Sequence, residues 1–188
     1  MHIADGVLSK TIVISSDIIA AFPIAISLIK ITYKEIPKTA LLSTIFFIAS
    51  FIHIPLGPTS VHLILNGLLG ILLGLHSSLA ILVALLLQFI LFGYGGLTTL
   101  GINTLIMFSG ALIAYLIYRG NNFTGFLSGF LSVFVSSLLL AISLSLSGKN
   151  FFEIAILSFI AYLPIMLIEG IITMFTLNYL QKIGVNVK

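Results

Sequence analysis

The most specific chemistry in the chain sits in its first two residues. A free α-amino group on Met1, the peptide nitrogen of His2 and Nδ1 of the His2 ring can close two fused chelate rings on one ion. Three nitrogens then lie roughly in a plane, which suits Ni(II), Cu(II) and, less strictly, Co(II). Taken alone, a Met-His start is also what chance supplies. His62 is the next candidate, because one neutral imidazole would complete a four-nitrogen plane. It follows Gly57-Pro58-Thr59-Ser60, which reads as a turn before a helix capped by Thr59 or Ser60, with His62 in the first helical turn. His53 is a candidate for an axial ligand, for a group supporting the ligands, or for a plain interfacial histidine. His76, in Leu75-His76-Ser77-Ser78, reads as a solvated loop residue.

The acids are few. Asp5-Gly6 is a turn pair, and Asp5 is expected to accept a hydrogen bond that folds the N-terminal arm, which makes it a second supporting candidate beside the ligands. Asp17 and Glu169 fall inside apolar runs, where an ionisable group is costly and is a functional hypothesis by default. The competing reading for Glu169 is an interhelical hydrogen bond, and for Asp17 a helix cap. Glu35 and Glu153 read as solvated. Gln88, Thr98 and Asn103 are expected to bond between helices. Gly93-Tyr94-Gly95-Gly96 lets backbone approach the N-terminal arm closely. It is no phosphate loop, since no Lys-Ser or Lys-Thr follows it. No Ser-His-Asp order and no HExxH motif is present. Cysteine is absent, so any metal must be held by nitrogen or oxygen.

The elements that position these residues follow from composition. Of 188 residues, 60% are hydrophobic and 7% charged, and mean hydropathy is +1.28. So few charges cannot make a water-facing shell, since soluble domains carry roughly 25%. Continuous rather than alternating apolar runs exclude a barrel, and backbone satisfaction in lipid then requires helices. The expected fold is all-α: an integral membrane bundle of about seven helices at 11–31, 39–55, 60–75, 77–94, 98–118, 124–147 and 152–180. The chain divides into an arm over 1–10, a bundle over 11–180 and a tail over 181–188. The start lacks the basic segment of a secretory signal, so the N-terminus is expected to be retained.

Lys30, Lys34, Lys38, Arg119, Lys182 and Lys188 fall on one side of such a bundle, and only Lys10 and Lys149 on the other. That bias puts the N-terminus outside and the C-terminus in the cytoplasm. His2, His53 and His62 then share the outer face. The net charge of +3 gives no reason to expect nucleic acid. No segment could bind ATP, so energy must come from an ion gradient or another subunit.

Four segments in order carry a resemblance over nearly the whole chain. Met1-His2-Ile3-Ala4-Asp5-Gly6-Val7-Leu8-Ser9 resembles the opening of the CbiM/NikM proteins, substrate-capture membrane components of energy-coupling-factor (ECF) transporters for cobalt and nickel. Pro58-Thr59-Ser60-Val61-His62-Leu63 is similar to that family's Gly-Gly-Thr-Ser-x-His-Leu segment. Gln88 to Met107 resembles its glycine-rich block. Leu163-Pro164-Ile165 with Glu169-Gly170-Ile171-Ile172-Thr173 resembles its last span. The resemblance implies an N-terminus tucked back into the bundle. It implies an ion held by the Met1 amine, the His2 amide nitrogen, the His2 imidazole and the His62 imidazole, with nickel or cobalt as cargo and no organic cofactor. It implies a coupling transmembrane subunit, cytoplasmic ATPase subunits and often a small accessory membrane subunit, in the cell membrane. The chain departs from the family pattern at Pro58, at Tyr94 where Asp is common, and at Tyr162 where His often precedes Leu-Pro-Ile.

The expected activity is transport rather than catalysis. The alternative is a gradient-driven carrier or channel without ATPase partners, with Asp17 and Glu169 as proton-linked groups. An intramembrane metalloenzyme would need a second acid or base near the ion, and none is apparent.

Overall fold

The structure, a computed structural model, describes residues 2–51, 53–56, 59–148 and 151–187, with backbone alone at 53–56 and 59–61. Helices dominate it. They run α1 Lys10–Lys30, α2 Ile36–Ala49, α3 Asn66–Leu73, α4 Ser77–Phe92, α5 Leu100–Ile117, α6 Asn122–Ser145 and α7 Phe152–Lys182. Two short strands, β1 His53–Leu56 and β2 Thr59–His62, form an antiparallel hairpin in which His53 pairs with His62.

Five helical stretches are long and apolar enough to cross a membrane: α1, the run Asn66–Phe92, α5, α6 and α7. The expected spans at 39–55 and 60–75 are corrected. At about 1.5 Å rise per residue, α2 reaches about 21 Å and α3 only about 12 Å. The remaining length is taken by the hairpin and by extended residues 63–65. His62 is therefore on a strand, four residues before its helix, and not in a capped first turn. The Asn66–Phe92 run is broken by one 3-10 turn at Gly74–His76, where Gly74 takes φ +54°.

Contacts give the helices their direction. Ser27 and Glu35 meet His76, Gly74 lies against Tyr115, and Gln181 bonds Tyr118, so these residues share one end. Asp5 meets residues 97–99, Ile3 meets Asn103 and His2 meets His62 at the other. The two chain ends thus lie at opposite ends of the bundle, and the basic connection around Lys30–Lys38 lies with the C-terminal end of α7.

Small residues pack the centre. A Cβ on Gly129 of α6 would sit 2.5 Å from the Glu169 carbonyl oxygen of α7, and one on Gly67 of α3 would sit 2.7 Å from the Gly129 Cα. Glycine at both lets three backbones touch. Serine hydroxyls on α6 close the polar accounts: Ser128 donates to the Ala114 carbonyl at 3.2 Å and Ser136 to the Ile106 carbonyl at 2.9 Å. By contrast α1 is mostly exposed, with only Ser16, Ala20 and Ser27 buried. Glu35 stays half-exposed as expected, whereas His76 is mostly buried and bonded: its Nδ1 is 2.9 Å from Ser27 Oγ and its Nε2 is 3.7 Å from Glu35.

Candidate metal centre

The N-terminal arm folds back onto the bundle, and its own backbone groups explain how. Ile3, 2% exposed, donates its N–H to Asn103 Oδ1 at 2.9 Å, and its carbonyl accepts from Asn103 Nδ2 at 3.0 Å and from Thr99 Oγ1 at 2.6 Å. Sequence reasoning missed this role by assigning Asn103 to interhelical bonding. Asp5 performs the arm-folding part expected of it. Its carboxylate accepts the main-chain N–H of Leu97 (3.1 Å), Thr98 (3.0 Å) and Thr99 (3.3 Å) and the Thr98 hydroxyl (2.6 Å). These N–H groups lie at the N-terminus of α5, where helix polarity favours an anion. The Thr98 hydroxyl and then the three N–H groups hold the Asp5 carboxyl below the usual carboxylate range. Gly96 makes the approach possible, since a Cβ there would lie 2.0 Å from Asp5 Oδ1.

This docking brings His2 to His62. The ring centroids are 5.2 Å apart and the planes differ by 17°. Tyr94 also stacks with His2, at 6.3 Å and 21°. His2 Nε2 is buried with no hydrogen-bond partner among the described residues. Burial first, and then the neighbouring positive groups including His62, hold the His2 imidazole well below the ordinary histidine value. The ring is therefore neutral at physiological pH and able to offer a lone pair. His62 is 5% exposed, and its Nδ1 lies 2.8 Å from the Leu63 carbonyl oxygen. A nitrogen facing a carbonyl oxygen must be the N–H, so the neutral ring carries its lone pair on Nε2.

Both histidines line one cavity of about 410 Å³ with Tyr94, Ser158 and Tyr162. Tyr162 is 2% exposed and its hydroxyl has no partner among the described residues. Beneath the cavity, Glu169 is fully buried and its Oε1 accepts the N–H of Ile64 and, at 2.8 Å, of Leu65. The expected interhelical hydrogen bond of Glu169 thus goes to the segment that follows His62.

Met1 and the side chain of His53 lie outside the described residues, although the His53 backbone pairs with that of His62. Asp17 stays apart from the site. It is exposed on α1 and lies against Gly101, where a Cβ would come within 2.1 Å of its Oδ1. Among the described residues no three His, Asp or Glu side chains converge as a metal site.

A protein family described as the cobalt uptake substrate-specific transmembrane region, CbiM, matches residues 2–187. This chain belongs to the CbiM family. It is a multi-pass membrane protein of a metal-uptake family. A metal transport protein of Haemophilus influenzae is 34% identical over 97% of this chain and 94% of its own length. The cobalt transport protein CbiM of Carboxydothermus hydrogenoformans is 29% identical over 97% of this chain and 84% of its own. A transition metal transporter of known crystal structure superposes with a TM-score of 0.87 at 27% identity, covering 97% of this chain and 93% of that one. Tyr94 and Tyr162 both line the histidine cavity of this CbiM-family chain.

Proposed function

We propose that this CbiM-family chain captures Ni²⁺ or Co²⁺ from outside the cell and passes it inward as the membrane subunit of an ATP-driven ECF-type transporter. The ion is held by four nitrogens: the Met1 amine, the His2 amide, the His2 ring and His62. The observation that carries this reading is the buried His2–His62 ring pair at the head of the cavity. Two imidazoles bound to one ion through metal–nitrogen bonds of about 2.0–2.1 Å have centroids about 4.5 Å apart when adjacent and about 6.3 Å apart when opposite. The observed 5.2 Å falls between those limits. Two side-chain nitrogens alone make a poor site. Nitrogens of the N-terminal backbone supply what the side chains do not.

The N-terminal arm acts as both ligand and lid. Docking it through Ile3 and Asp5 closes the ion off from water, and capture requires the amine, amide and imidazoles to give up protons. The N-terminus faces out and the basic inner end faces the cytoplasm. A coupling transmembrane subunit and cytoplasmic ATPases, with a small accessory membrane subunit, provide the energy that returns the ion inward. The planar donor set favours nickel slightly over cobalt.

Uptake tests this reading. Cells carrying the chain with its coupling and ATPase subunits should accumulate radioactive nickel or cobalt, and His2→Ala or His62→Ala should abolish it. Full accumulation by the chain without ATPases would replace the ATP-driven reading with gradient-driven carriage. Full accumulation by both variants would remove the site.

A further inference from the structure

We infer that Glu169 is a positioning residue for the captured ion: from α7 it fixes the segment 63–65 and thereby the direction and tautomer of the His62 ring. Its bearing on the ion rests on the metal-capture reading above, while the hold on the segment stands on geometry alone. β2 ends at His62 and α3 begins at Asn66, so Leu63, Ile64 and Leu65 belong to neither. Ile64 and Leu65 are nonetheless buried, at 1% and 7% exposure. Their N–H groups face the interior of a membrane bundle with no ladder or helical carbonyl to accept them, a situation that demands a partner. Glu169 Oε1 accepts both.

The same few residues bear a second constraint. Leu65 has φ +57°, the only left-handed non-glycine residue among those described. Such a conformation persists where its surroundings over-determine it, and the two bonds to one carboxylate oxygen do so. Between the bonded residues and the ligand lies Leu63, whose carbonyl takes the His62 Nδ1–H. Holding Ile64 and Leu65 therefore orients that carbonyl, which in turn aims Nε2. The carboxylate acts through the backbone rather than by touching the ring. It is itself well seated, because Gly129 admits the Glu169 backbone at a distance no side chain would allow.

The test uses the full chain with its native N-terminus and Glu169→Leu, which fills similar space and removes the acceptor oxygen. Nickel chloride is titrated and followed by the visible absorption of planar nickel, and backbone amide exchange is followed in the metal-free protein. Nickel affinity should fall 10–100-fold, the range for losing a partner that orients a ligand. The Ile64 and Leu65 amides should exchange at least tenfold faster while the α6 amides do not change. Nickel binding within twofold of the native protein would overturn the inference, and so would unchanged exchange at Ile64 and Leu65. If Glu169→Leu does not fold, the native metal-free protein decides. Its Leu65 amide should be as protected as those of α6, and exchange as fast as in the Tyr94–Gly96 loop would overturn the assignment. If native protein binds no nickel or cobalt at all, the capture reading fails, and amide exchange still judges the hold of Glu169 on its own.

Discussion

The two histidines reach the same cavity from opposite kinds of structure. His2 arrives on an arm of nine residues before α1, and part of that arm's anchorage is exposed: the Asp5 bonds to residues 97–99 lie at the surface. His62 arrives on a hairpin whose exit is pinned by a buried carboxylate. One half of the site is fastened partly from outside, by bonds that water can replace, and partly by the buried bonds of Ile3 to Asn103. The other is fastened from within by bonds that water cannot reach. The difference suits capture, which needs one half to open and one half to wait. An opening arm leaves His62 aimed.

The comparison predicts a graded set of losses. Removing the waiting ligand should cost most: His62→Ala should weaken nickel binding beyond the 10–100-fold typical of supporting groups, with the arm still docked, as seen by unchanged amide protection at Ile3. Asn103→Ala comes next. It leaves the buried Ile3 N–H without its acceptor, a loss of about 1–3 kcal/mol that falls on the docked arm. Nickel should bind about 5–150-fold more weakly in isothermal titration, and amide exchange should quicken at Ile3 and not at Ile64. Asp5→Asn should cost less, about 0.3–1 kcal/mol, because the bonds it weakens are exposed. Weakening greater than that of Asn103→Ala would reverse the proposed order. The smallest effect belongs to His76→Ala at the inner end, which should leave nickel binding within twofold and shift only thermal stability.

Acidification separates the halves in another way. The His2 pKa is held down, so the undocked arm takes up a proton first as pH falls below the ordinary histidine value of about 6.5. Docking that is fully present above that value weakens below it. Asp5 behaves oppositely in range: its carboxyl is depressed, so its contribution is present above the ordinary carboxylate value and is lost as pH falls through the lowered one. Arm protection at Ile3 should therefore decline between about pH 7 and 5, and Asp5→Asn should not move that decline. A decline displaced by Asp5→Asn would assign the pH response to the wrong group.

Much of this was legible in the residues. Of the seven apolar spans expected, five helical stretches are long and apolar enough to cross, and the basic connections mark one end. His2, His62 and Asp5 followed from type and spacing. The hairpin was the main loss. Residues 60–75 form a nearly continuous apolar run, and such a run does not distinguish a buried strand from a buried helix. The missed cue was local: two four-residue runs rich in Ile54, Thr59 and Val61, separated by Gly57-Pro58 alone, have the form of a hairpin. Asn103 and Glu169 were recognised as polar groups inside spans, but their partners are the backbones of Ile3 and Leu65, about a hundred residues away in sequence. Backbone donors look alike in a sequence, so no pattern could name them. His76 was misread because its partners, Ser27 on α1 and Glu35 on the connection after it, are far away in sequence.

The central claim is that backbone nitrogens of the arm complete a site that His2 and His62 only begin. Adding one residue before Met1 tests it, because the extension removes the terminal amine from its place and spares every side chain. Nickel titration of the native and extended proteins, side by side, should show tight binding in the first and its loss in the second. Equal binding by both would contradict the account and leave the histidine pair without its proposed role.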